Sequence, residues 1–390
     1  MDGKAKRNAG YWIVAVLLAI LAFPAIAAAT STREIMHDVF QSLRYLLGFT
    51  LDEERFDRPS ERQSARAKLD TLQRAADQLQ AHASSKDVGF QLLSGSLVAS
   101  VNEFNYYFDE SRRDEAQYFL VDMIQSCVAC HSRLPRARDF PLGQRLFDGL
   151  DMDTFSLQDR AALEVAARRF DDALSTWEQL FRDPKIDPVD LDVEGSLLDY
   201  LVTAVRISDD PERPRNTLER LISRPDVPFF MRRHLRAWGD DLRSLAPELK
   251  GKATLEKAVG LFRRAGVKAI FPGSREQTIY DLAASALLYR YLGDSGQRAG
   301  PDLAQAYYTL GVIEARSLER AWPAPKVELH FEAAVRSAPS GPLALTSYAN
   351  VEEYVLEGFG SPETLKRLEG LRRLLHIRAD NKDASRLRIE

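Results

Sequence analysis

Cysteine is scarce in this chain, since only two occur among its 390 residues. This scarcity excludes a disulfide-stapled scaffold, a multi-cysteine zinc site and an iron–sulfur cluster. An excess of positive charge is also missing, because 53 lysines and arginines stand against 57 aspartates and glutamates, for a formal net charge of −4. The composition therefore argues against a nucleic-acid partner, which requires basic side chains to neutralise phosphates.

Two kinds of pattern are missing as well. The sequence contains no P-loop, serine-hydrolase or zinc-protease motif, so we expect no enzyme of those classes. It also lacks the alternation of apolar and polar residues that is typical of β-strands. Apolar residues instead recur at helical spacing from residue 31 to about residue 377, and hydrophobic residues make up 45% of the chain. We therefore predict an all-α protein with a buried core.

Residues 1–29 have the composition of an export signal. Lys4, Lys6 and Arg7 precede an apolar run of about nineteen residues that ends in small side chains. A run of that length can also span a bilayer, so an uncleaved N-terminal membrane anchor is the alternative. Either interpretation places the remainder of the chain outside the cytoplasmic membrane, and we predict a periplasmic location.

The segment 30–136 contains four amphipathic stretches. Each has one apolar stripe, and the stripes cover residues 35–47, 65–79, 90–108 and 116–127. Four such helices joined by short polar loops predict a four-helix bundle. Residues 137–155 contain proline and glycine without a sustained period, so we interpret them as a linker that packs on its neighbours.

From residue 156 to residue 390 the helical pattern resumes. Eleven amphipathic segments are separated by Pro, Gly and Asp: 156–168, 170–182, 189–207, 214–222, 228–245, 254–265, 277–292, 301–320, 326–336, 343–357 and 362–373. The spacing of Phe170, Ala173 and Trp177 resembles the second helix of a tetratricopeptide repeat. The resemblance implies a stack of α-hairpins with a surface for binding proteins. An irregular α-hairpin array is the alternative.

One motif carries chemistry. Cys127-Val128-Ala129-Cys130-His131 has the C-x-x-C-H pattern of haem c attachment. On a helix, cysteines three residues apart can bond the two vinyl-derived carbons of one porphyrin, and the next residue can present its imidazole to the iron. A redox dithiol, a structural zinc site and a disulfide are the alternatives, but the helical context and the export signal favour haem. We predict one covalent haem c, bound by Cys127 and Cys130, with His131 as an iron ligand.

Through this motif and the four helical stripes, Ser31 to Arg136 resembles the cytochrome c′ and cytochrome c-556 family. The resemblance covers about a quarter of the chain. It implies that the haem lies between helices and that a residue of the first helix faces its distal side. A methionine there implies six-coordinate, low-spin iron, whereas an apolar or aromatic residue implies five-coordinate iron that binds small gases.

Four residues are candidates for the sixth iron ligand. Met36 lies on the apolar stripe of the first helix, and the resemblance favours it. His37 lies a helical step of ~100° away, at the edge of that stripe. His82 lies near the end of the second helix, and Met123 precedes Cys127 by one turn and cannot reach the opposite haem face. Iron without a sixth ligand is the remaining alternative.

These features favour an exported monohaem cytochrome that transfers electrons, with the helical-repeat segment docking on a periplasmic or membrane-bound redox protein. The alternatives are a gas-binding or gas-sensing haem protein with an open distal site, and an assembly protein with structural haem. Aromatic side chains are available to line the porphyrin: Tyr106, Tyr107, Phe108, Tyr118 and Phe119. Three histidines of the second half lack ligand spacing and are expected to be structural: His234, His330 and His376.

Overall fold

The computed structural model describes residues 31–51, 58–84, 86, 88–133, 143, 145, 147, 151–193, 195–207, 211–271, 274–317, 327–357 and 362–377. The predicted export signal, residues 1–29, and much of the predicted linker lie outside these ranges. Within them every regular element is a helix, which confirms the all-α class. None of the helices in these ranges has the length and apolar character needed to cross a membrane.

The helices of eight or more residues are labelled in chain order. The first group comprises α1 Thr32–Leu46, α2 Pro59–Ala83, α3 Val88–Asp109 and α4 Arg113–Arg133. The second group comprises α5 Leu157–Ala166, α6 Phe170–Arg182, α7 Ser196–Arg206, α8 Glu212–Ile222, α9 Phe229–Lys250, α10 Leu255–Lys268, α11 Thr278–Ser295, α12 Pro301–Ser317, α13 Val327–Ser337, α14 Ala344–Glu357 and α15 Pro362–Leu374. Shorter helical turns cover Gly48–Leu51, Met152–Thr154, Pro188–Val193 and Arg275–Gln277.

The start of α1 is determined by a capping box. The Ser31 hydroxyl accepts a hydrogen bond from the Glu34 backbone N–H at 3.3 Å. The Glu34 carboxylate in turn accepts from the Ser31 backbone N–H at 2.7 Å. Two N–H groups that helix geometry would leave unpaired are thereby satisfied, which makes Ser31 the cap of this helix.

The first four helices pack in chain order, with α1 against α2, α2 against α3 and α3 against α4. Their apolar faces share one core, which includes Ile35, Val39, Leu69, Leu72, Val101, Phe104, Leu120 and Met123. Helices α3 and α4 are joined by a turn in which Ser111 has a positive φ of 58°. The core spans all four predicted stripes, so the periodicity identified the buried faces correctly.

The second group is built from neighbouring helices that pack on each other, as in α5 with α6, α8 with α9, α10 with α11, and α12 with α13. Ala173 is fully buried, and the Trp177 indole N–H donates to the Gln158 side chain of α5 at 3.0 Å. A Cβ atom on Gly311 of α12 would lie 2.7 Å from the Phe331 ring of α13. Small residues therefore allow close approach within these pairs.

One predicted helix, 189–207, is wrong in its extent. The structure has a short helix, Pro188–Val193, followed by α7, which begins at Ser196. Gly195 between them adopts the left-handed conformation, with a φ of 87°. Glycine accepts this conformation without steric cost, and the chain changes direction there.

The two groups of helices pack on each other. Helix α3 contacts α13, and α4 contacts both α5 and α7. At this junction the Gly89 backbone N–H donates to the Tyr307 hydroxyl at 3.2 Å. Val128 of α4, within the C-x-x-C-H motif, packs against the core of the second group. The motif therefore lies where the two groups meet.

Candidate functional site

A cavity lies between α1, α4 and α5, next to the C-x-x-C-H motif. The space between these helices measures about 490 Å³, a figure that includes open solvent. The lining is apolar except for one thiol, one imidazole and one thioether, and it comprises Met36, Val39, Phe40, Leu43, Leu47, Ile124, Cys127, His131, Leu163, Ala166 and Ala167.

Three of the predicted site residues lie together on this lining. Cys127 and His131 are four residues apart on α4, so their side chains point to the same face of that helix. Met36, which is half-buried on α1, reaches the cavity from a different wall. Cys130 is also half-buried but is not part of the lining. The cavity thus combines the thiol, the imidazole and the thioether that the sequence singled out.

The other candidate iron ligands lie away from the cavity. His37 is exposed on α1. The His82 imidazole Nε2 lies 2.9 Å from the Thr32 hydroxyl, near the start of α1. Met123 is fully buried in the core shared by α1 to α4. Of the four methionine and histidine candidates, Met36 lines the cavity and these three do not.

The orientation of His131 is determined by a backbone carbonyl. Its Nδ1 lies 2.6 Å from the Ala166 oxygen at the end of α5. Because a carbonyl can only accept a hydrogen bond, Nδ1 carries the proton and Nε2 carries the lone pair. Burial lowers the pKa of His131 to about 4, and the charge of Arg168 contributes in the same direction. The imidazole is therefore neutral at pH 7, the form that ligates metal ions.

The two cysteines are free thiols with different surroundings. Cys127 is buried, and this burial, together with the neighbouring Cys130, raises the pKa of its thiol to about 12. Redox dithiols and zinc sites use thiolates, which need a polar or positively charged environment. The folded environment of Cys127 favours the protonated, apolar form instead.

The contribution of α5 to the site was not predicted. Leu163, Ala166 and Ala167 form one wall of the cavity, although their segment was interpreted as part of a separate repeat domain. Phe147, from the predicted linker, is buried in the same region, in a cluster with Phe40 of α1 and Leu163 of α5. Met152 and Phe155 pack against the same cluster.

The aromatic residues of α3 and α4 that were available to line the porphyrin lie outside this cavity. Tyr106 and Tyr118 are 56% and 67% exposed, and the rings of Tyr107 and Phe119 stack on each other at 5.2 Å. Phe108 belongs to the core shared by α1 to α4. The cavity lining includes none of these five residues. Phe119 precedes Cys127 by eight residues, a distance of ~12 Å along a helix, which places it well away from the motif.

Two of the three histidines singled out in the second half lie next to carboxylates. His330 is buried, and its Nε2 lies 2.9 Å from a Glu314 carboxylate oxygen. His234 lies 3.9 Å from the Glu276 carboxylate. Among the described residues, no group of three or more His, Cys, Asp and Glu side chains is arranged to hold a metal ion.

Comparisons with known proteins found no matching family model, no similar curated protein and no similar solved structure.

Proposed function

We propose that this chain is an exported c-type cytochrome that transfers electrons through one covalently bound haem. The observation that carries the proposal is the meeting of Cys127, His131 and Met36 on one apolar cavity. The C-x-x-C-H spacing alone would fit several kinds of site. Its position beside an apolar cavity, with a second side chain that can ligate iron on another wall, supports haem among them.

The residues of the cavity fit the group. When bound, haem supplies one-electron chemistry at its iron. Cys127 and Cys130 would form the two thioether bonds, and His131 would ligate the iron through Nε2. Met36 would also ligate the iron, and the aliphatic side chains of α1, α4 and α5 would exclude water from the porphyrin. Exclusion of water and two protein ligands would suit electron transfer, because the iron could then change oxidation state with little rearrangement.

The two helix groups have different roles in this proposal. Helices α1 to α4 form a four-helix bundle of the cytochrome c′ or c-556 type, in which Met36 of α1 and His131 of α4 would hold the iron. Helices α5 to α15 form a tetratricopeptide-like array that docks the cytochrome on a periplasmic or membrane-bound redox protein. The basic and apolar character of residues 1–29 supports export.

The proposal is tested by making the full chain together with haem-attachment machinery. Intact-mass measurement should show the chain plus one haem, and the reduced spectrum should show a low-spin iron that takes up carbon monoxide poorly. Cys127→Ala and Cys130→Ala should each abolish stable loading of a doubly attached haem. Ser126→Ala, a buried position of similar size on the same helix, is the matched control and should load normally.

Two results would contradict this function. A folded wild-type chain that contains zinc or no cofactor after co-production would exclude a cytochrome. A loaded chain whose iron is high-spin and binds carbon monoxide readily would retain the haem but favour the gas-binding alternative.

A further inference from the structure

We infer that the turn at the end of α5 completes the proximal side of the site, with Arg168 as a positioning residue that sets the charge beside His131. This inference rests on the proposed function. It assigns a role in the haem site to residues 166–168, which lie beyond the predicted bundle and linker.

The turn leaves one carbonyl group available to the histidine. Helix α5 ends with the Arg168 backbone N–H donating to the Val165 carbonyl at 2.9 Å and the Arg169 N–H donating to the Glu164 carbonyl at 2.7 Å. These two bonds form a Schellman motif, which satisfies two of the carbonyls at a helix C-terminus. Neither bond uses the Ala166 carbonyl, which accepts from His131 Nδ1. The end of the helix thereby directs an acceptor at the imidazole.

Such a turn requires a residue in the left-handed conformation, and here that residue is Arg168, with a φ of 60°. Glycine usually occupies this position, because a Cβ atom in the left-handed region lies too close to the following carbonyl oxygen. An arginine at this point is a local conflict between backbone and side chain, and such conflicts cluster at functional sites. The Arg168 side chain is therefore a candidate for a functional role.

Arg168 follows Ala166 by two residues in this turn, and the Ala166 oxygen lies 2.6 Å from His131 Nδ1, so the turn brings Arg168 next to the motif. Burial lowers the pKa of Arg168, and its charge adds to the effect of burial in lowering the pKa of His131. The side chain is half-buried, and its guanidinium lies 5.7 Å from the centre of the Phe170 ring. A partly desolvated positive charge acts over a longer range than a solvated one.

Two opposite influences thus act on the proximal ligand. The Ala166 carbonyl holds the imidazole in one tautomer and one orientation and makes Nε2 more basic, which stabilises oxidised iron. The Arg168 charge disfavours the additional positive charge of oxidised iron and so raises the reduction potential. The balance between them is determined by a segment outside the bundle, so the array of α5 to α15 contributes directly to the site.

Substitution of Arg168 separates its charge from its backbone conformation. Arg168→Gly removes the guanidinium but suits a φ of 60°, so the turn and its hydrogen bonds should persist. Arg168→Lys keeps the positive charge. Arg182→Gln, at the exposed C-terminal end of α6, removes one positive charge elsewhere and is the matched control.

Reduction potentials are measured by spectroelectrochemistry on the full, haem-loaded chain. We expect Arg168→Gly to lower the potential by several times the change seen with Arg182→Gln, and Arg168→Lys to restore most of the loss. In the reduced wild-type protein, the His131 Nδ1 proton should give a nitrogen-15-coupled signal that exchanges slowly with solvent, and Arg168→Gly should keep it.

An Arg168→Gly potential equal to that of the control would overturn the charge role of Arg168. A rapidly exchanging His131 Nδ1 proton in the wild-type protein would overturn the role of the Ala166 carbonyl. Both readouts require a loaded wild-type protein. A wild-type chain without haem would instead contradict the proposed function, so the two failures are distinguishable. If Arg168→Gly fails to fold, the comparison of Arg168→Lys with wild type still tests the charge role: unequal potentials with an intact His131 signal would overturn it.

Discussion

We expect Arg206 to contribute strongly to the thermal stability of the second helix group, α5 to α15. Its side chain at the end of α7 is 5% exposed and donates to the Glu314 carboxylate of α12 at 3.1 Å and to the Ser285 hydroxyl of α11 at 3.0 Å. The same carboxylate accepts from the Tyr289 hydroxyl at 2.7 Å and lies 2.9 Å from His330 of α13. Four helices thus meet in one buried polar network.

The magnitude of the effect follows from burial. Arg206→Ala would leave the fully buried Glu314 carboxylate without its guanidinium partner, and removing one member of a buried ion pair costs ~3–5 kcal/mol. For a folding unit of ~150–250 residues, 1 kcal/mol corresponds to ~2–4 °C in Tm, so the loss should be ~6–20 °C. Arg243→Ala is the matched control, because Arg243 and its partner Asp240 are 58% and 70% exposed. Breaking an exposed pair costs ~0–1 kcal/mol.

The assay is thermal unfolding of the full chain by calorimetry and circular dichroism. The double variant Arg206→Met with Glu314→Leu should recover much of the lost stability, since replacing both charges with apolar side chains removes the cost of burying them. A decrease in Tm for Arg206→Ala no larger than that for Arg243→Ala would refute the reasoning. So would a double variant less stable than Arg206→Ala alone.

Two further predictions concern α1 and the contact between α12 and α13. In the haem-loaded chain, Met36→Ala should convert low-spin iron to high-spin iron and increase carbon monoxide binding. The control Met123→Ala should leave the absorption spectrum unchanged. Identical wild-type and Met36→Ala spectra would exclude Met36 as a ligand. Gly311→Ala should destabilise the chain by ~1–3 kcal/mol in denaturant titrations, because its Cβ would overlap the Phe331 ring. The control is Gly260→Ala, whose Cβ would have no neighbouring atom within 4 Å, and it should stabilise the chain by ~0.5–1 kcal/mol. Equal effects of the two substitutions would contradict the close approach of α12 and α13 at Gly311.

Much of the helical pattern could be predicted from the sequence. The predicted segment 170–182 coincides with α6, because its apolar period, its acidic first turn and the following proline all agree. The break at Gly195 was missed, since a single glycine inside an apolar run is compatible with a continuous helix. The bend at Gly195 depends on contacts that the flanking residues make in the folded chain, and the sequence pattern does not show these contacts.

The candidate site was predictable only in part. Cys127, His131 and Met36 were identified because motif spacing and one helical stripe are local features of the sequence. The cavity wall from α5 and the hydrogen bond between His131 and Ala166 depend on long-range packing. A backbone carbonyl has no signature of its own in a sequence, since every residue has one. The left-handed Arg168 has no such signature either, because glycine is the residue that usually indicates this conformation.

The placement of α5 has a consequence for the order in which a haem-carrying form of this chain could be assembled. Cys127 and Cys130 become part of the chain before α5 does, and α5 then closes over the side of the cavity that contains His131. An attachment enzyme needs both thiols within reach, yet packing buries Cys127 and raises its pKa to about 12. In a haem-carrying form, folding of α5 over the cavity would therefore compete with attachment of the cofactor. Such a form would have to meet the attachment machinery before α5 packs against α1 and α4.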